Sequence, residues 1–135
     1  KDTIEEFLTW IENIPNKTLG GYNPSFDLGF LKNSIERYSF KCDLGYRTVD
    51  LHSISYGEHL VLDVNMPIKD GKSDLSLDKT LSFVGLPAEP KPHNALTGAK
   101  LESEAFSRII YKRWLFEEFM QYCLPHHPAR RNVLF

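Results

Sequence analysis

Ile4, Phe7, Leu8, Ile11 and Ile14 recur at helical spacing while Glu5 and Glu12 fall between them, so DTIEEFLTWIENIP predicts an amphipathic helix. Thr3 and Glu6 have the spacing of a capping box at its start, and Pro15 is expected to stop it. TLGGYN predicts a short strand in which Gly20 and Gly21 let another backbone come close. PSFDLGFLKNSIERYSF predicts a second helix, with proline near its first position and Asp27 in its first turn. Its expected buried stripe is Phe26, Phe30, Leu31, Ile35 and Tyr38.

After a turn-like KCDLG, the stretch YRTVDL predicts an extended piece, and Asp50 is placed to cap a helix running from Leu51 to about Leu62. NMPIKDGKSD, rich in polar residues around proline and glycine, is expected to be a surface loop, and SLDKTLSFVGLP a short helix closed by Gly85 and Pro87. The connector AEPKP delivers the chain to His93. From Ala95 the longest helix is expected, with Ala95, Ala99, Phe106, Ile109 and Ile110 facing one way and Lys100, Ser103, Ser107 and Lys112 another. It is expected to run on, with a break, through WLFEEFMQYC, which makes residues 1–123 one partial domain and residues 124–135 a tail. Strand alternating with helix is the α/β habit. Because parallel neighbours need a helical crossover, the segments Leu19 to Tyr22 and Tyr46 to Val49 are expected to pair in parallel.

Composition narrows the function classes. At 135 residues, 41% hydrophobic and 25% charged, the chain can bury a core and is not of disordered type. A formal charge of -2 leaves no general field for phosphates, so a nucleic-acid partner would have to meet a local basic patch. Cys42 and Cys123 are far apart and lack a CxxC pattern, so they read as reduced thiols, with one disulfide as the alternative. No apolar run reaches membrane-spanning length and Lys1 to Glu6 is too polar for a signal peptide, so a soluble, cytoplasmic protein without a membrane partner is expected.

Few residues invite chemistry. Asp27 stands where a helix follows a strand, near the edge where α/β proteins place ligands, although a carboxylate there also complements the helix dipole by roughly 0.3–1 kcal/mol. His93 stands just before a helix, and an imidazole titrates close enough to neutrality to take a proton from water. Lys91, Lys100, Arg108, Lys112 and Arg113 surround that helix and would serve either as phosphate contacts or as a solvated charged face. Tyr22 and Phe26 are candidates to stack on a terminal base or to join the core. Asp43 and Asp50 read as turn and cap residues, and the pair His126 and His127 as solvated rather than metal-binding.

Asn23, Phe26, Asp27, Phe30 and Leu31 spell N-x-x-F-D-x-x-F-L, and His93, Ala95 and Leu96 spell H-x-A-L. In order and separation these resemble motifs II and III of the DEDDh-type 3′–5′ exonucleases, a family that includes the proofreading subunit of bacterial DNA polymerase III. The resemblance covers about the last two thirds of such a domain. It implies a ribonuclease H-like mixed sheet with flanking helices, and hydrolysis of phosphodiesters at the 3′ end of a single-stranded DNA or RNA to release nucleoside monophosphates. It implies two Mg²⁺ or Mn²⁺ ions held by carboxylates. On this resemblance Asp27 is the motif II metal ligand, His93 the motif III base, and Asn23, Phe26 and Lys100 face substrate.

Two departures matter. The family's opening D-x-E occurs nowhere before Asp27, so the chain reads as a carboxyl-terminal portion that lacks the N-terminal antiparallel strands. A sheet edge left bare in this way favours self-association or a partner that supplies the missing strands. The second departure is Gly98, which stands where motif III carries aspartate. Glu102 lies one helical turn further and about 40° around the axis, so either it substitutes as a metal ligand or the site has lost one. The alternative to an enzyme is therefore a catalytically incomplete module of the same fold that binds nucleic acid or protein.

Overall fold

The computed structural model describes residues 1–125; His126, His127 and the remainder of the tail lie outside the described residues. Among the described residues the chain is mixed α/β, with five α-helices and two sheets of two strands each. It divides into two compact units, Lys1–Asp50 and the residues from Leu51 onward.

The first unit begins with α1 (Asp2–Ile11), β1 (Leu19–Gly21), α2 (Pro24–Arg37) and β2 (Thr48–Asp50). β1 and β2 are parallel, in the register Leu19↔Thr48, Gly20↔Val49 and Gly21↔Asp50, with α2 as the crossover that parallel pairing requires. This is the pairing expected from the alternation of strand and helix. α1 starts one residue after Lys1, whose carbonyl accepts from the Ile4 and Glu5 amides. Thr3 and Glu6 are therefore inside the helix, and the expected capping box does not form. The helix ends before Pro15, as expected.

The buried face of α2 consists of Pro24, Leu28 and Ile35, with Leu31 half-buried beside them. That spacing of four, three and four residues is a helical stripe; Ile35 and Leu31 belong to it as expected, whereas Phe26, Phe30 and Tyr38 do not. Phe26 and Phe30 are 65% and 62% exposed, their ring centroids 4.9 Å apart on the outer face. The aliphatic residues turn toward the strands because the left-handed Asn23 (φ 54°) and Pro24 fix the angle at which α2 leaves β1. Asp43 accepts from the Gly45 amide at 2.7 Å, so it is a turn residue as expected.

The second unit packs α3 (Leu51–Leu62), α4 (Leu77–Phe83) and α5 (Ala95–Tyr111) around Leu51, Leu81, Val84, Leu101, Ala105 and Ile109. Between α3 and α4, the segment expected as a plain loop is a hairpin, β3 (Ile68–Lys69) antiparallel to β4 (Lys72–Ser73). Asp70 and Gly71 turn it with φ of 50° and 72°, the two positive values that an Asp-Gly hairpin turn accommodates. Ser76 caps α4 through the Lys79 amide at 3.3 Å. Gly85 (φ 74°) closes the segment after α4, and a Cβ there would stand 2.7 Å from the Cys123 carbonyl oxygen.

α5 buries Gly98, Leu101, Glu104, Ala105, Ser107, Arg108 and Ile109. The expected face is only partly right: Ile109 is buried and Phe106 half-buried, but Ala95, Ala99 and Ile110 are exposed, and Ser107 is inside, donating to the Arg113 carbonyl at 3.0 Å. Nor does α5 continue through WLFEEFMQYC. Lys112 adopts a left-handed conformation (φ 56°) that ends the helix, and the chain folds back through a 3-10 turn at Glu117–Phe119. The fold-back rests on a buried ion pair. Arg108 Nε donates to Glu104 Oε1 at 2.8 Å, while its other nitrogens donate to the carbonyls of Val84, Phe119, Tyr122 and Cys123. Glu104 Oε2 accepts from the Leu115 and Phe116 amides at 2.8 and 3.1 Å. Each charge thus meets the hydrogen bonds that burial demands.

Candidate functional site

The first locus lies just beyond the carboxyl ends of the parallel strands. β1 ends at Gly21, and its continuation, Tyr22 and Asn23, turns directly into α2. The turn is tied to the neighbouring strand: the Asn23 amide donates to Asp50 Oδ1 at 3.1 Å. Asp50, expected as a helix cap, thus holds the β1–α2 corner. Ser25 Oγ and Thr48 Oγ1, 3.5 Å apart, make a second, weaker link. Asp27 then falls in the first turn of α2, exposed, with the positive end of the helix dipole beside it. Burial raises the Tyr22 hydroxyl above the ordinary tyrosine value, and the Asp50 charge adds to the rise. Asn23, Phe26 and Asp27 are thus gathered at one corner, with Phe26 as an exposed apolar plate and Asn23 as a backbone hinge.

The second locus is the amino end of α5. Its cap is Asn94, whose Oδ1 accepts from the Leu96 and Thr97 amides at 3.1 and 3.2 Å. His93, one residue earlier, is released from capping and stands outward with 66% of its side chain exposed. Its Nδ1 lies 2.9 Å from Glu89 Oε2, and the Glu89 side chain is only 14% exposed. The other Glu89 oxygen lies 2.9 Å from where a Cβ on Gly98 would stand. The carboxylate over Gly98 therefore belongs to Glu89, while Glu102 is half-buried further along α5.

The cations around α5 are mostly committed within the fold. Arg108 is buried against Glu104, which removes it from the phosphate candidates. Lys112 pairs with Glu58. Lys100 lies 3.1 Å from Glu118 Oε1 and within 6.0 Å of the Phe116 ring centre, so it would have to exchange one anion for another to hold a phosphate. Lys91 and Arg113 are exposed.

Among the described residues no three His, Cys, Asp or Glu side chains gather as a group able to hold a metal ion. Cys42 and Cys123 are both free thiols, and no helix of the described residues is long and apolar enough to cross a membrane. No protein family, curated protein or solved structure matches the chain.

Glu89 is the residue that sequence reasoning missed. It lies four positions before His93, but prolines at 90 and 92 break any helical rule that would pair them. A signal was present in Gly98, since a small residue inside a helix leaves room for a side chain from elsewhere.

Proposed function

We propose that this chain carries motifs II and III of a metal-dependent 3′–5′ exonuclease of the DEDDh type, built on a ribonuclease H-like fold. The observation that carries the reading is the setting of Asp27: an exposed carboxylate in the first turn of a helix, immediately past the carboxyl end of one of two parallel strands. That corner is where open α/β sheets place their ligands. Here Asp27 would be a ligand of Mg²⁺ or Mn²⁺, with Glu102 as a further candidate and the remaining carboxylates coming from a D-x-E segment that these 135 residues do not contain. The metal ions, when bound, would activate water and stabilise the leaving oxygen. His93 would accept the water's proton, and Phe26, Asn23 and Lys100 would meet the terminal nucleotide of a single strand.

A cytoplasmic location, and self-association or a partner chain that adds strands beside β1 and β2, belong to the same proposal. The test is nucleotide release from a 3′-labelled single-stranded DNA or RNA, with Mn²⁺ present, by this chain supplied with a D-x-E segment in cis or as a partner. Release that disappears in Asp27→Ala supports the reading.

Gly98 in place of a carboxylate, and the lack of a three-ligand group among the described residues, favour a second reading: a binding module that no longer cuts. It predicts retention of single strands without release of mononucleotides, whatever segment is supplied.

A further inference from the structure

We propose that Glu89 is a positioning residue for His93: it accepts the Nδ1–H of the imidazole and so leaves Nε2 as the proton acceptor that faces outward. The chemical purpose of this device rests on the exonuclease reading of His93; its geometry does not.

The two side chains are unequal partners. His93 projects into solvent, whereas Glu89 is mostly covered and is anchored by its own backbone, its amide donating to Asp78 Oδ1 on α4 at 3.3 Å. One carboxylate oxygen reaches His93 Nδ1 at 2.9 Å and the other lies against the bare Cα of Gly98 on α5. Pro90 and Pro92 stand between the partners and restrict the backbone that joins them, so little freedom is lost when the pair forms. An imidazole in water favours the Nε2–H tautomer. A carboxylate on Nδ1 selects the other one, which is how a base histidine is given its orientation and a free Nε2 lone pair.

Gly98 is part of the same device. A methyl group there would meet Glu89 Oε1 at 2.9 Å, and because that atom is the tip of a flexible side chain, the carboxylate moves rather than the helix. The glycine that interrupts the motif III pattern is thus the position that admits Glu89.

Histidine-selective ¹⁵N labelling of the 135-residue chain, with long-range ¹H–¹⁵N correlation in alkaline solution where the imidazole is neutral, reads the tautomer directly. We expect Nδ1–H at His93 in the parent chain, a switch toward Nε2–H in Glu89→Ala and in Gly98→Ala, and retention of Nδ1–H in Glu89→Gln, whose amide oxygen still accepts. Gly98→Ala keeps the helix and guards against loss of the fold. In the chain supplied with D-x-E, Glu89→Ala should lower kcat by about tenfold, with KM little changed. An Nε2–H tautomer in the parent chain, or a tautomer indifferent to Glu89→Ala, overturns the proposal. If the tautomer follows Glu89 but no variant or parent releases nucleotide, the exonuclease reading falls and the pairing stands. If the parent cuts and Glu89→Ala changes neither tautomer nor kcat, the positioning role alone falls.

Discussion

Arg108 and Glu104, one turn apart on α5, form an ion pair in which neither side chain touches solvent, Nε to Oε1 2.8 Å. Removing one partner strands the other charge, together with the carbonyls or amides that it serves, in a buried setting. Arg108→Met is therefore predicted to cost about 3–5 kcal/mol in urea unfolding. Leu115 and Phe116, whose amides donate to Glu104, should lose hydrogen-exchange protection in Glu104→Leu. A cost below about 1 kcal/mol for Arg108→Met would show that the fold-back after α5 does not depend on the pair.

The helix starts make a paired prediction. Asn94 Oδ1 satisfies two amides at the head of α5, so Asn94→Ala should cost about 1 kcal/mol. Thr3 lies inside α1 and caps nothing through its side chain, so Thr3→Ala should stay within about 0.5 kcal/mol of the parent. Equal losses from the two substitutions would restore the capping box that the sequence suggested.

Stability should fall on the alkaline side through Tyr22. Its hydroxyl is raised first by burial and then by the charge of Asp50, so the folded state holds its proton longer than the unfolded state does. The contribution is full below the unfolded value of about pH 10 and is lost as pH rises through the higher folded value. Tyr22→Phe should remove this part of the alkaline decline in denaturant midpoints. An unchanged decline would mean that the β1–α2 corner does not shield the hydroxyl.

What the sequence made legible was what rests on local periodicity. The strand–helix–strand alternation was enough to place β1 beside β2 in parallel, because a short chain has no other way to return in the same direction. Helix identity was legible, but helix orientation was not. In α2 Ile35 is buried as expected, but Phe26 and Phe30, expected beside it, are exposed, and Leu28, which was not expected, is buried. In α5 Ser107 and Arg108 read as a surface and are buried together with Glu104, since their partners come from residues 84 to 123 and leave no periodic trace. The Asp70–Gly71 hairpin was expected only as a surface loop, because its strands are two residues long. Asp27 and His93 were singled out by the resemblance to motifs II and III, while Glu89 was hidden because its contact with His93 crosses a proline connector.

The central proposal is that Asp27 is a metal ligand and His93 a proton acceptor of a 3′–5′ exonuclease that also needs a D-x-E segment. The most direct measurement is mononucleotide release from a 3′-labelled single strand with Mn²⁺, comparing the chain alone with the chain supplied with a D-x-E segment. The account predicts little or no release by the chain alone and metal-dependent release once D-x-E is present, abolished by Asp27→Ala and severely reduced by His93→Ala. Glu102→Gln reports in the same assay whether that carboxylate takes part. Robust release by the 135 residues alone, or undiminished release by the supplied Asp27→Ala variant, would contradict it.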